Sequence, residues 1–222
     1  MESVKISDLY DLTQSMAGEA LGELTYPWEI LPKIKELIPA LGEKLDPDVY
    51  EKKGENIWIA KSAKIAPTAS ITGPVIIGEE TEVRPGAFIR GNALVGNNCV
   101  VGNSTELKNV ILFNNVQVPH YNYVGDSVLG YKSHMGAGSI TSNVKSDKKL
   151  VVVKGSSEKW ETGLKKFGAM LGDHVEVGCN SVLNPGTVIC PDCNVYPTSS
   201  VRGVIPAHHI FKDKEHIVEK HA

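Results

Sequence analysis

The stretch ITGPVIIGEETEVRPGAFIRGNALVGNNCVVGNSTEL, Ile71 to Leu107, carries one large aliphatic residue every six positions. Ile71, Ile77, Val83, Ile89, Val95, Val101 and Leu107 mark the beat, which reaches back through Ile65 to Ile59. Four residues after each comes Ala63, Ala69, Val75, Thr81, Ala87, Ala93, Cys99, Thr105 or Ile111, all small or β-branched. No helix has a period of six, and a lone alternating strand does not decide which position is bulky. A six-residue unit with one large and one small inward side chain predicts a parallel β-helix. Each unit is a short strand and a turn, and three units make a triangular coil. The glycines and asparagines of VGNNCVVGNS supply turn conformations with positive φ.

The beat continues with two steps of five through Leu112, Val118, Val124, Leu129 and Met135. It resumes at Leu171 and runs by sixes through Val177, Leu183, Ile189, Val195 and Val201, with Val175, Ser181, Thr187, Cys193 and Ser199 in the small slot. These units predict between six and seven coils, a prism about 30 Å long at the usual strand spacing.

Residues 1–57 lack the beat. Leu9, Leu12, Met16, Ala20 and Leu24 share one helical face, with Ser7 placed to cap that helix. YPWEILPKIKELIPALGEKL predicts further helices broken near Pro32 and Pro39, and Asp46-Pro47 another short helix start. An open prism leaves an unpaired edge that proteins cover, so 1–57 is expected to be a small helical N-terminal cap, with a partner-binding module as the sharper alternative. Residues 58–206 are the β-helix domain, interrupted by a projecting loop at 142–166. Residues 207–222 are expected to be a polar tail in which His208, His209, His216 and His221 are solvated.

A net charge of −3 argues against a nucleic-acid binder held by bulk charge. No apolar run approaches the roughly 18 residues of a membrane span, and the N-terminus lacks a basic segment followed by an apolar one, so a cytoplasmic protein with no membrane partner is expected. Without a secretory signal the four cysteines are not expected to form disulfides. Cys190-Pro-Asp-Cys193 has a spacing seen in metal sites, but Cys193 falls in an inward slot, so no metal is expected.

Within the beat, VPHYNYVGD (118–126) presents a histidine between turns, and a histidine there can act as a base. The loop at 142–166 adds Lys145, Lys148, Lys149, Lys154, Lys159, Lys165 and Lys166, a cationic neighbourhood suited to an anionic substrate. Asp126 or a backbone carbonyl is expected to set the His120 tautomer. Backbone N–H groups of MGAGS (135–139) are candidate oxyanion donors.

RPGAFIRGNALVGNN, VGNSTELKNVIL, VPHYNYVGDSVLG, MGAGSITSN and KKFGAMLGDHVEVGCNSVLNPGTVI together resemble the acetyltransferase half of the bifunctional glucosamine-1-phosphate acetyltransferase / UDP-N-acetylglucosamine pyrophosphorylase family, over roughly residues 75–205. The resemblance implies a left-handed coil and a homotrimer with sites between subunits. It also implies an acetyl-CoA-dependent N-acetyltransferase acting on an amino-sugar 1-phosphate such as glucosamine 1-phosphate. It makes His120 the general base and puts Arg90, Lys108, Tyr123, His134, Asn143 and Lys149 at the acceptor, His134 standing where the family has asparagine. Spacing from Lys108 favours Arg90 over Arg84. Arg202 and Lys214 are the candidates for the phosphates of coenzyme A, with Lys212 beside them. The family's pyrophosphorylase half opens on L-x-A-G-x-G-T-R-M, which is absent from these 222 residues, so uridylyl transfer by this chain is not expected. An acyltransferase acting on a nucleotide sugar and a catalytically silent scaffold or regulator are the alternative readings.

Overall fold

A strand of two or three residues cannot hold itself, so each six-residue unit depends on the coil above and below it. In the computed structural model, which describes residues 4–220, the units stack into three flat walls of parallel strands. The first wall contains strands 57–59, 75–77, 93–95, 110–112, 127–129, 169–171, 187–189 and 204–205. The second contains Lys64–Ile65, Glu82–Val83, Val100–Asn103, Gln117–His120, His134–Met135, Glu176–Val177, Asn194–Val195 and His209–Phe211. The third contains 70–71, 88–89, 106–108, 123–125, 140–141, 182–183 and 200–201. Thr141, Ile205 and Phe211 extend the inward series, so the prism is longer than the expected six to seven coils.

Each corner holds a column of residues with positive φ. Asn98, Asn115, Lys132, His174, Asp192 and His208 form the column between the first and second walls. Gly86, Ser104, Tyr121, Gly138, Asn180 and Thr198 form the next. The N–H of such a residue donates to a carbonyl one coil away, as in Asn115 N–H to Asn97 O at 2.8 Å and His174 N–H to Tyr131 O at 2.8 Å. The column between the third and first walls explains the slipped beat. Gly91 and Asn92 both have positive φ in one coil, whereas Asn109 and Asp126 each turn the corner alone. One residue is saved at each, and strands Glu106–Leu112 and Tyr123–Leu129 bend round the corner without a break. The saving also corrects one inward assignment. Val110, opposite Ala93, takes the small slot, and Ile111, opposite Leu94, points outward.

The outward residues of the first wall are apolar and buried: Trp58, Ile76, Leu94, Ile111, Val128, Met170 and Val188. They are covered by the N-terminal segment up to Gly42, which runs along the wall. Gln14 O accepts from Asn114 N–H at 2.9 Å, Leu31 O accepts from Asn109 Nδ2 at 3.2 Å, and Gly42 lies under the Trp58 ring. The expected single helix is three short pieces, Ile6–Leu9, the 3-10 turn Leu12–Gln14 and Gly18–Gly22. Ser7 lies inside the first and caps nothing. Asp11 breaks the helix because its N–H donates to Asp173 Oδ2 at 2.6 Å and its carboxylate accepts from Thr13. A 3-10 turn at Pro27–Ile30 follows, and helix Ile34–Gly42 continues through Pro39, held by buried Ile34 and Ile38. Asp46-Pro47 starts a turn, not a helix, and leads into strand Tyr50–Gly54. That strand pairs antiparallel with Ile57–Ala60 and covers the prism's first edge with Glu51, Lys52 and Lys53.

The segment 142–166 leaves at the corner between the third and first walls, where an insertion disturbs no strand. It folds back as a hairpin, Val152–Lys154 against Lys159–Glu161, with Val151 and Val153 buried. Gly203, at φ +79°, admits it, since a Cβ there would lie 2.6 Å from Lys154 O. The expected polar tail also carries structure: His209–Phe211 extends the second wall and pairs antiparallel with Ile217–Glu219. His221 lies outside the described residues. Among those residues no helix is long and apolar enough to cross a membrane. Cys99, Cys190 and Cys193 are buried, and burial pushes the thiols of Cys99 and Cys193 up to about 12 and about 11.

Leu94 tests the N-terminal packing, because its side chain points outward and is buried only by that segment. Leu94→Ala is expected to lower the unfolding free energy by about 2–5 kcal/mol in a denaturant titration. A loss below about 1 kcal/mol would mean that the segment does not lie on this wall.

Candidate active site

The two shortened corners lie beside a polar ladder. Asp126, 5% exposed, accepts from Asn109 Nδ2 at 2.9 Å and from Asn143 Nδ2 at 2.5 Å. Asn143 Nδ2 is also 3.2 Å from the Tyr123 hydroxyl, whose pKa is raised by burial first and by Asp126 and Glu106 next. On the outside of the same wall Arg90 bonds Glu106 at 2.5 Å. Lys108 stands beside Lys166, whose ammonium holds the Lys108 pKa below the ordinary lysine value. Partial burial and Arg90 act in the same direction, and Asp126 acts against them. Three cations thus gather with two carboxylates beside the third wall, and the two lysines repel each other.

His120 ends its strand on the second wall, at the corner leading to this cluster. Its backbone is held firmly: the N–H donates to Asn122 Oδ1 at 3.1 Å and the carbonyl accepts from Gly138 N–H at 3.0 Å. Asn122 is buried and donates to Gly136 O and Ser139 O, which fixes the turn. The imidazole is exposed and has no hydrogen-bond partner among the described residues. Asp126 therefore does not set its tautomer, being turned to Asn109 and Asn143 at the far corner. The N–H groups of Gly136, Gly138 and Ser139, expected as oxyanion donors, are engaged within the coils by Val177 O, His120 O and Gly136 O.

Arg90, Lys108, Tyr123 and Asn143 are brought together, with His120 round one corner from them. Arg84 lies on the second wall and pairs with Glu82, away from the cluster. His134 is separated from it as well. Its strand position faces Gln117, three residues short of His120, and its Nδ1 lies 2.8 Å from Glu176 Oε2 in a recess shared with Lys132 and His174. Lys149 sits in the exposed turn closed by Asp147, and the lysine beside Lys108 is Lys166. Arg202 and Lys214 line one cleft of about 900 Å³ at the end of the prism, with Val204, Phe211 and Ile217. Arg202 also joins Lys145 and Lys154 around a recess of about 220 Å³.

The profile described as "GMPPB C-terminal domain" matches residues 71–205. The chain belongs to this family. Among curated relatives of this GMPPB C-terminal-type chain, "Bifunctional protein GlmU" of Methanococcus aeolicus is 32% identical over 247 aligned residues, covering 96% of this chain and 58% of that protein. "Bifunctional sugar-1-phosphate nucleotidylyltransferase/acetyltransferase" of Sulfurisphaera tokodaii is 32% identical over 184 residues, covering 74% of this chain and 46% of that one. The chain thus spans about half the length of the curated relatives it matches, and the resemblance read from the motifs agrees with their names. Solved structures with similar coils include a hexapeptide transferase family protein from Anaplasma phagocytophilum, 15% identical, TM-score 0.41, covering 74% of this chain and 78% of that one. Another is the acetyltransferase domain of PglB from Neisseria gonorrhoeae in complex with acetyl coenzyme A, 16% identical, TM-score 0.33, covering 72% and 62%.

Glu106 and Asn109 join the candidate cluster without having been singled out by the motifs, and Lys166, read from sequence only as one of the loop's lysines, is the one that comes beside Lys108. Lys166 had a signal: it immediately precedes Phe167, where the chain rejoins the prism after the loop. Since Lys166 is the largest cause of the lowered Lys108 pKa, Lys166→Gln is expected to raise that pKa toward the ordinary lysine value in an NMR titration of the lysine side chains. An unchanged Lys108 would show that the two ammonium groups are not neighbours.

Proposed function

We propose that the chain is an acetyl-CoA-dependent N-acetyltransferase acting on an amino-sugar 1-phosphate, glucosamine 1-phosphate being the first candidate, with His120 as general base. The observation that carries this reading is the Lys108–Lys166 cation pair with Arg90, one corner away from an exposed histidine of fixed backbone. A dianion placed among these groups relieves their mutual repulsion and accepts hydrogen bonds from them. Arg90 offers a planar fork, and the lysines add point charges. Tyr123 and Asn143 supply hydrogen-bonding groups for the sugar at the same edge. The names of the curated relatives support both the acetyl transfer and the sugar phosphate.

The chemistry follows from those positions. A neutral imidazole at His120 takes a proton from the 2-ammonium of the sugar. The amine nitrogen then attacks the thioester carbonyl, and the C–N bond forms as the carbonyl π pair moves to oxygen. Collapse of the tetrahedral intermediate breaks the C–S bond, and the leaving thiolate takes up the excess proton that the attacking nitrogen gives up. Holding phosphate and base in one geometry makes the attack effectively unimolecular. Coenzyme A extends along the prism, its phosphates at Arg202, with Lys145 and Lys154 on one side and Lys214 on the other. Arg202 lies three coils beyond the level of His120, about 14 Å at the strand spacing, a span that an extended pantetheine arm covers.

A homotrimer in the cytoplasm is part of the same proposal. The first wall is covered by the chain's own N-terminal segment, so neighbours meet the second and third walls, where His120 and the cation cluster lie.

His120→Ala is expected to lower kcat by roughly 10²–10⁴-fold with little change in acceptor KM, because the base acts in the transition state. Lys108→Ala is expected to raise acceptor KM, because the phosphate is held throughout. Both are read from thiol release with glucosamine 1-phosphate. A His120→Ala variant as fast as the wild type removes the base assignment.

A further inference from the structure

We propose that Tyr121 is a specificity-determining platform that receives the apolar face of the acceptor's pyranose ring, between the base and the phosphate-binding cations. The proposal rests on the acyl-transfer reading and deepens it.

The first observation is conformational. Tyr121 has φ +53°. The other members of its corner column with positive φ are Gly86, Ser104, Gly138, Asn180 and Thr198, none of them aromatic. Positive φ suits glycine and asparagine and is disfavoured for bulky side chains. The tyrosine is nevertheless fixed there, because its N–H donates to Asn103 O at 2.9 Å and the neighbouring Asn122 is locked by Gly136 and Ser139. A strained residue kept by its surroundings points to a use.

The second observation is exposure. The Tyr121 ring is 65% exposed, more than any other large apolar or aromatic side chain among the described residues. It therefore does nothing for the core. Phe88, on the adjoining wall two coils away, carries Arg90 over its ring at 5.7 Å, whereas Tyr121 has no ring or cation partner of this kind among the described residues.

The third observation is position. Tyr121 is the apex of the corner, with His120 closing the second wall on one side and Tyr123 opening the third on the other. In a 2-amino sugar 1-phosphate the amine and the phosphate are on adjacent carbons. A ligand that gives its amine to His120 and its phosphate to Arg90, Lys108 and Lys166 has to cross this apex. The sugar ring, whose C–H groups form an apolar face, then lies over the aromatic ring. An acceptor lacking such a face, such as a linear amino alcohol phosphate, gains nothing from it.

The test measures binding and turnover together. Glucosamine 1-phosphate is titrated into wild type, Tyr121→Asn and Tyr121→Phe by calorimetry, and acceptor KM and kcat are measured with acetyl-CoA. Asparagine tolerates the backbone conformation, so Tyr121→Asn is expected to be at least as stable to heat as the wild type, which separates lost affinity from lost structure. Removal of one stacking contact is expected to weaken acceptor binding and raise acceptor KM about 3–10-fold, with kcat and acetyl-CoA KM little changed. Tyr121→Phe is expected to stay within about twofold of the wild type. Equal acceptor binding by wild type and Tyr121→Asn overturns the proposal while leaving acyl transfer standing. Sugar-phosphate binding that depends on Tyr121 without any turnover supports the platform and removes the acyl-transfer reading. No binding of the sugar phosphate by the wild type overturns both.

Discussion

A parallel ladder of short strands closes only if each coil brings the same side chains to the same level on the same wall. Ile77 must lie beneath Val95, and Val95 beneath Leu112, or the hydrogen bonds between coils are lost and large residues collide inside a prism with no spare width. Walls therefore cannot gain or lose residues, and corners can. The two deletions, at Asn109 and Asp126, and the one long insertion, at 142–166, all fall at the corner between the third and first walls. The polar ladder of Asn109, Asp126 and Asn143 and the return of Lys166 beside Lys108 follow from that placement. The candidate site stands where the coil is allowed to vary, on a backbone that cannot.

The same constraint decided what could be read from residues alone. The inward positions were legible because a six-residue beat with a small slot has no other repeating solution, and the agreement extends from Ile59 to Val201. Ile111 was misplaced because a deletion inside a corner moves the small slot by one residue while leaving the next aliphatic in step. The helical expectation for the N-terminal segment failed in detail. Its apolar periodicity was real, but Asp173 on the prism takes the N–H of Asp11 and cuts the helix. Sequence periodicity reports which face is apolar and does not report which wall that face will meet, so an end cap and a strap along a wall look alike.

At the site, residues inside the beat came out where motif spacing put them together, as Arg90, Lys108 and Tyr123 did on one wall. Lys149 and Lys166 could not be placed in the same way, because both belong to a loop that has no beat, and it is the hairpin's return that brings Lys166 beside Lys108. His134 shows the opposite limit. It lies in the beat, yet its wall and its partner Glu176 turn it into a recess of its own. The charges follow a simple division. Isolated surface pairs such as Lys52 with Glu43 are well exposed and contribute little. The Arg90, Lys108 and Lys166 group is different, because Lys166 and Arg90 both oppose the charge on Lys108.

In the proposed function these cations and His120 serve acetyl transfer to an amino sugar carrying a phosphate. The most direct measurement is free thiol released from acetyl-CoA by the wild-type chain, followed together with the mass of the sugar product across amino-sugar 1-phosphates and nucleotide sugars. One thiol is expected for each N-acetylated amino-sugar 1-phosphate formed. A chain that binds no coenzyme A and releases no thiol with any of these acceptors would contradict it and leave the prism as a scaffold.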